Sequence, residues 1–515
     1  MILGQFAHAG TLAHSQPGSI RFGMHTVVSD GTRALLQHAR INRHRFVASP
    51  PSVAAVRGEV AAIMPVGASI VTVESLIDYV YGKSPHPDAW LDLGGDVKRP
   101  HRFRRQIGGN YPIAVVHHSV SYGHCIHDWF LPLLLGDIRA CDTVICTSPS
   151  GKQVIQKTLE MLTDDLRRRG IDLPYRGRLD TVPLGVDCDR FKPLPRYNAR
   201  GRLGPHGIKQ DDFVLLWIGR ISSQDKADLV PLLRVLRDVS VWHPETKLII
   251  AGTPRDIELR VLAEAATQMG VAHRLVALGA IHDDDLPWVY AAADVFVSPV
   301  DSIQEMFGLS VIEAMACGIP VVCSDWGGYR DSVIHEETGI LVDTVRAIPD
   351  IAAQLAADFG EWSLAGGEYL DQWTHAQSTI IDVDAMTSAI RALADNPQRR
   401  KQMGDQACAR ARQVYAWPHV ISQWETLFKT LAACDRTTTA PHPYERPHFA
   451  EVFLDYPSAH LTWSGRDDDA WRPPELHHDP RPYMQVPQDC AEYPLGMPPG
   501  AFRAAWREKH GRGEH

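Results

Sequence analysis

Two carboxylates, Glu305 and Glu313, open the stretch richest in residues that could do chemistry, EMFGLSVIEAMACGIPVVCSDWGGYRDSV at 305–333. Carboxylate oxygens each accept two hydrogen bonds, which suits the paired hydroxyls of a sugar at Glu305 and a ribose diol at Glu313. Between them, Leu309–Ala316 has helical periodicity, and Gly318 and Pro320 stop it. A helix end near Gly308 would present unbonded N–H groups and the positive pole of a dipole, both of which attract an anion. Gly308 keeps side-chain bulk away from that approach. A second cluster, GRISSQDK at 219–226, follows the apolar run Phe213–Ile218 and supplies Gly219, Arg220 and Lys226. Arginine forks onto two phosphate oxygens and lysine acts as a point charge. Together they suit a diphosphate and the charge that builds on it as a bond to it breaks. Taken singly, the carboxylates could merely complement a helix dipole, worth about 0.3–1 kcal/mol, and turn cations are usually solvated. The combination with the glycines favours a phosphate and sugar site.

Such groups need strand ends to hold them. Short apolar runs alternate with amphipathic stretches, the pattern of parallel α/β sheets. In the first half, Ile113–Val116 and Thr143–Cys146 read as buried strands, and Thr26–Ala39 and Ser150–Leu162 as helices. Pro193, Pro195, Gly201, Gly204, Pro205 and Gly207 then mark a linker. Beyond it the series restarts, with strands at Phe213–Ile218, Lys247–Ala251, Leu275–Leu278, Val295–Ser298 and Val321–Ser324. Helices are expected at Leu229–Val239, Glu258–Met269, Val383–Ala394 and Val414–Leu431. The expectation is two facing Rossmann-like doubly wound domains, at 1–195 and 205–412, with an interdomain cleft. Residues 345–381, with Trp362 and Trp373, read as an insertion, and the helix within 413–432 as crossing back to the first domain. The Pro- and His-rich extension 433–515 retains Trp463, Trp471, Tyr483, Tyr493, Phe502 and Trp506, which points to partial order.

Composition narrows the field further. A chain of 515 residues, 44% apolar and 22% charged, is too long for one core. Its net charge of −9, without a block of Lys or Arg, argues against nucleic acid as partner. Nine scattered cysteines without a CxxC pair fit reduced thiols and a cytoplasmic setting. No signal-peptide pattern opens the chain, and no run reaches the ~18 apolar residues of a membrane span. Peripheral membrane contact stays open. Asp467-Asp468-Asp469 and His477-His478 match no standard ligand spacing, so no metal is expected, and no lysine segment stands out for a covalent cofactor.

At this level the run Phe213–Val342 resembles the C-terminal domain of family 4 retaining glycosyltransferases, which have the GT-B fold. Glu305 and Glu313 match that family's E-x7-E signature, with FGL, EAMACGIPVV and a following GG in place, and Arg220 and Lys226 match its diphosphate-binding pair. VPLGVDCDRFKP (182–193) resembles the segment entering the second domain, and CDTVICTSPSGKQVI an earlier strand and helix. PGSIRFGMHTVVSDGTRALLQHA resembles the first glycine loop and helix, although Arg21-Phe22 replaces part of the glycine run; Gly23 is placed there. YPIAVVHHSVSYGH resembles the strand ending in the active-site histidine, and alignment on Pro112-Ile113 favours His118 over His117.

The resemblance implies transfer of a hexose, with retention, from a UDP-, GDP- or ADP-sugar to an unidentified glycan, lipid-linked or small-molecule acceptor, without metal or other cofactor. It implies catalytic roles for His118, Glu305, Arg220 and Lys226. Donor contacts would come from Gly23, Gly219, Arg220, Lys226, Glu305, Met306, Phe307, Gly308, Leu309 and Glu313. The donor base would be read near Gly252–Pro254 and Ile281–Asp285. Trp326 and Tyr329 fit packing anchors or sugar platforms equally. Two other readings share these residues: a nucleotide-sugar hydrolase or epimerase, and a non-catalytic nucleotide-sugar or glycan-binding regulatory subunit.

Overall fold

The computed structural model describes residues 1–12, 23–41, 43–64, 70–82, 84–254, 258–346 and 369–434. Seven strands make the first sheet: β1 (Ile2–Ala7), β2 (Arg43–Ala48), β3 (Ile70–Ser75), β4 (Ala89–Asp92), β5 (Ile113–Val116), β6 (Thr143–Cys146) and β7 (Arg178–Thr181). They lie in the order β3-β2-β1-β4-β5-β6-β7, every pair parallel. The second sheet has six: β8 (Phe213–Ile218), β9 (Thr246–Ala251), β10 (Leu275–Gly279), β11 (Val295–Ser298), β12 (Val321–Ser324) and β13 (Gly339–Val342). Their order, β10-β9-β8-β11-β12-β13, repeats the same scheme, again all parallel. These are two Rossmann-like sheets of the GT-B kind. Each reverses its strand order once, between β1 and β4 and between β8 and β11, and ligands of such sheets sit outside the strand ends at that point.

Most of the strands legible as apolar runs are walled in on both faces, β10 being the exception. All four residues of β5, β6, β11 and β12 are buried, as parallel sheets covered by helices require. Of the six strands not anticipated in the two large sheets, GILV of β13 is apolar throughout, and the other five carry polar residues: ILGQFA, RHRFVA, IVTVES, AWLD and RLDT. Gln5, His44 and Arg45 are nonetheless buried within them. Arg45 is accommodated by the carbonyl of Pro85, by Glu74 at 3.6 Å and by the Tyr79 ring at 5.6 Å. Polar residues buried inside a sheet break the apolar signal of its strands.

One device recurs in both halves. Asp142, just before β6, accepts from the backbone N–H of Ile113 at 2.8 Å and from both terminal nitrogens of the buried Arg104. Asp294, just before β11, accepts from the N–H of Val214 at 2.9 Å and from Arg200 and Arg196, both at 2.6 Å. Each buried carboxylate therefore ties the start of one strand to its neighbour. Arg196 and Arg200 lie in the breaker-rich stretch, where the chain forms a helix, Arg196–Leu203, with Ala199, Arg200 and Leu203 buried. That stretch is thus packed on the second sheet rather than loose chain. Its glycines fall at or beyond the helix's C-terminal half, where they do not prevent it.

The chain then returns. The helix Trp417–Ala433 lies against the helix Gly23–His38 of the first half. Where it turns back, Val186 donates to the Tyr415 carbonyl at 2.8 Å and accepts from Trp417 N–H at 3.3 Å. Val186 and Ala416 form a parallel bridge there. Of the expected insertion, Thr344–Arg346 and Thr379–Ile381 pair antiparallel, Tyr369–Gln377 is a helix, and 347–368 lie outside the described residues. The extension from residue 435 onward, with its Asp and His clusters, also lies outside them. No described helix is long and apolar enough to cross a membrane.

Candidate active site

The strand ends of both sheets open on one cleft of about 900 Å³. All eleven residues singled out from the sequence line it: Gly23 and His118 from the first half, and Gly219, Arg220, Lys226, Glu305, Met306, Phe307, Gly308, Leu309 and Glu313 from the second. The two segments expected to read a donor base also reach it, through Gly252, Thr253, Pro254, Ile281, His282 and Asp283.

The helix Leu309–Ala316 starts as expected, with Gly308 in front of it at φ +91°, a conformation that L side chains rarely adopt. A Cβ at Gly308 would also stand 2.3 Å from Cε1 of Tyr329. Backbone shape and packing therefore require this glycine before any ligand arrives, a stronger reason than clearance for a phosphate. The Tyr329 question is settled as packing: its ring is fully buried and its hydroxyl bonds that of Ser298 at 2.9 Å. Trp326 is similarly anchored, its indole N–H donating to the Ser302 carbonyl at 2.8 Å. Across the cleft, the helix Gly23–His38 begins close by, since a Cβ at Gly23 would lie 3.8 Å from Cδ1 of Leu309. Two helix N-termini thus meet at one place, and both favour negative charge there.

The charged groups hold each other. Lys226 Nζ is hydrogen-bonded to Glu305 Oε2, across 79 positions of sequence. Arg220 pairs with Asp225 at 3.1 Å, and the buried Asp225 also accepts from Ser222 at 2.6 Å and from the Tyr122 hydroxyl at 3.1 Å. Glu313, in the second turn of its helix, accepts from the Tyr290 hydroxyl at 2.7 Å. Burial pushes that phenol well above its ordinary value, and the neighbouring Glu313 carboxylate adds to the effect. Tyr290 therefore stays a donor at any working pH. Two cations and two anchored carboxylates facing one cleft can bind a diphosphate and the hydroxyls beside it.

The two histidines divide their tasks. His117 is buried, accepts from the Thr147 N–H through Nε2 at 3.0 Å, and bonds the His118 carbonyl through Nδ1 at 3.1 Å. Both ring nitrogens are engaged inside the protein, and burial holds its pKa down at about 4, with His118 next to it adding to the effect. His118 donates from Nε2 to the Leu93 carbonyl at 2.5 Å, which fixes the tautomer and makes Nδ1 the acceptor. Burial lowers its pKa also, against the opposing pull of that carbonyl. A neutral imidazole at neutral pH can accept from a substrate hydroxyl. Because protonation would turn that acceptor into a donor, the acid limb of kcat/KM is expected below the ordinary histidine value of about 6.5. A pH–rate profile of the wild type and of His118→Asn checks this; a limb unchanged by the substitution assigns it to another group.

Several cleft residues were missed from sequence: Ser119, Tyr122, Gln304 and Asp225. Ser119, Gln304 and Asp225 each sit beside a residue that was identified, Tyr122 does not, and none has a motif of its own.

Comparison with known proteins agrees with this geometry. Residues 203–357 match the family described as glycosyl transferases group 1. Over 181 residues the chain is 39% identical to a D-inositol 3-phosphate glycosyltransferase of Geodermatophilus obscurus, covering 34% of this chain and 39% of that one. Over 206 residues it is 34% identical to a GDP-mannose-dependent alpha-(1-6)-phosphatidylinositol monomannoside mannosyltransferase of Mycolicibacterium smegmatis, covering 38% and 52%. The chain thus spans about half or less of the length of these two relatives. In fold it is similar to Anabaena HepE, solved with UDP-glucose, at a TM-score of 0.53 and 17% identity over 84% of this chain and all of that one. It is also similar to sucrose-phosphate synthase from Thermosynechococcus elongatus, at a TM-score of 0.52 and 20% identity over 84% and 99%. Residues 203–357 are therefore similar to a glycosyl transferases group 1 domain, and the chain as a whole has a GT-B fold.

Proposed function

We propose that the protein is a retaining glycosyltransferase that moves a hexose from a nucleoside-diphosphate sugar to an acceptor hydroxyl. The observation carrying this is the convergence of Arg220, Lys226, Glu305 and the Leu309–Ala316 helix end on one cleft. In this reading the diphosphate lies between Arg220, Lys226 and the helix amides, displacing part of the Lys226–Glu305 bond. Glu305 then accepts from the hexose hydroxyls, Glu313 from the ribose diol, and His118 Nδ1 from a further sugar hydroxyl. The bond from the anomeric carbon to the phosphate oxygen breaks as the acceptor oxygen bonds that carbon on the same face. The acceptor's proton passes to the departing phosphate oxygen. Charge on the leaving diphosphate is met by Arg220, Lys226 and the amides, aimed before reaction begins. A chelator is accordingly expected to leave turnover intact. A reducing, cytoplasmic setting belongs to the same proposal.

Nucleotide sugars named for similar proteins, UDP-glucose bound to HepE and GDP-mannose for the mycobacterial relative, define the first panel. A donor that fits raises the melting temperature by mass action, by about 2.7 kcal/mol of stability at a hundredfold excess over Kd. Thermal shifts with UDP-, GDP- and ADP-sugars should single out one base. A flat response to all of them would sink the donor assignment. Nucleoside diphosphate released without any acceptor requirement would favour hydrolysis instead.

A further inference from the structure

We infer that Gln372, on the inserted helix Tyr369–Gln377, is a positioning residue that clasps the two halves of the protein together over the cleft. The inference rests on the transferase reading above. Gln372 is fully buried, and its partners belong to the opposite half. Its Nε2 donates to the Ser121 carbonyl at 2.5 Å, and the Ser121 hydroxyl lies 3.5 Å from its Oε1. A side-chain amide out of water is costly unless both its donor and its acceptor are matched. Here one serine, 251 positions away, meets the donor directly through its carbonyl, while its hydroxyl, whose proton goes chiefly to Gln304, lies at the longer distance from the acceptor.

Ser121 sits in the loop that follows β5, between His118 and His124, and this loop forms part of the first half's wall of the cleft. The loop is fastened at three places, and two of the fastenings adjoin a site residue. Gln304, next to Glu305, donates to the Ser119 hydroxyl and accepts from that of Ser121. Tyr122 donates to Asp225, which is next to Lys226 and pairs with Arg220. Gln372 completes the row from outside the matched motifs, on an element rooted in the second half by the antiparallel pair Thr344–Arg346 and Thr379–Ile381. Separation of the halves must break the Gln372 bonds. Their formation therefore sets His118 in register with Glu305 and Lys226, and the inserted helix biases the protein toward the closed, water-excluding state.

The test compares the full-length wild type with Gln372→Ala, Gln372→Glu and, as control on the same helix, Gln377→Ala. Steady-state kinetics and solution scattering are measured together. In Gln372→Glu a carboxylate oxygen faces the Ser121 carbonyl, so its ligand-free scattering profile should be more extended than that of the wild type. Both Gln372 variants should lose about tenfold in kcat while donor KM moves by less than about twofold, and the control should match the wild type. Unchanged kcat and scattering overturn the inference. So does a kcat loss that merely follows a lowered melting temperature, because that marks a structural role. A wild type that neither transfers sugar nor binds any donor sinks the transferase reading instead, while the scattering comparison still decides the clasp.

Discussion

Lys226→Ala and Glu305→Ala are each expected to lower kcat by about a hundredfold to a thousandfold, the cost of removing one preoriented charged contact from a transition state. Each loss has a separate cause. Without Lys226 the departing diphosphate keeps Arg220 and the helix amides but loses a point charge, and Glu305 loses its cation. Without Glu305 the hexose loses its acceptor, and Lys226 is released from its partner. Because the two side chains bond each other, their effects should not add: the double variant is expected near the worse single one. A double-mutant cycle on kcat reads this directly. Near-wild-type turnover in either single variant would remove the residue from the mechanism, and fully additive losses would mean that the pair acts separately.

The second large effect concerns stability. Arg104 is buried beside Asp142, held at 2.6 Å and 2.9 Å through its two terminal nitrogens, and it also donates to the Tyr111 and Asp137 carbonyls. Burial alone would raise the Asp142 carboxyl, but the Arg104 and His101 side chains outweigh it and hold the group at about 2. Arg104→Ala takes the guanidinium from that buried carboxylate and leaves it His101 and the backbone N–H groups of Ile113 and Arg139, and losing one partner of a buried pair costs about 3–5 kcal/mol. Total stabilities of about 5–15 kcal/mol make this a large share. The sign with pH follows. A carboxyl at about 2 when folded, and near ~3.9 when unfolded, contributes stability present above the unfolded value and lost as pH falls toward 2. The deficit of the variant should therefore be full at neutral pH and narrow below about pH 4. Urea melts at both pH values check this; a deficit independent of pH would assign the loss to packing.

How much of this was legible in the sequence depends on whether a feature is local. The start of the helix Leu309–Ala316 is announced by its own glycine and its own stop signal, and its range is as expected. Strands β5, β8, β11 and β12 announce themselves because each is apolar throughout or nearly so. The β2 strand could not, since Arg45 looks solvated until Pro85, Glu74 and Tyr79 come round to enclose it. In the same way Glu305 and Lys226 were readable as separate motifs, while their bond to each other is a product of the fold. Gly308 was readable as a helix start, but its quarrel with Tyr329 was not. Gln372 and Tyr122 carried no signal at all, because a lone glutamine and a lone tyrosine acquire meaning only from what faces them.

The bridge between Val186 and Ala416 has a mechanical consequence. Among the described residues two chain segments cross between the halves, one outgoing after β7 and one returning before Trp417, and they run side by side, bonded to each other. Bodies joined by one strand can swivel about many axes. Joined by two strands laced together at a point, they keep mainly one rotation, like a book about its spine, and sliding or twisting is resisted. The cleft then has essentially one way to open, and every opening must begin at the edge farthest from that spine.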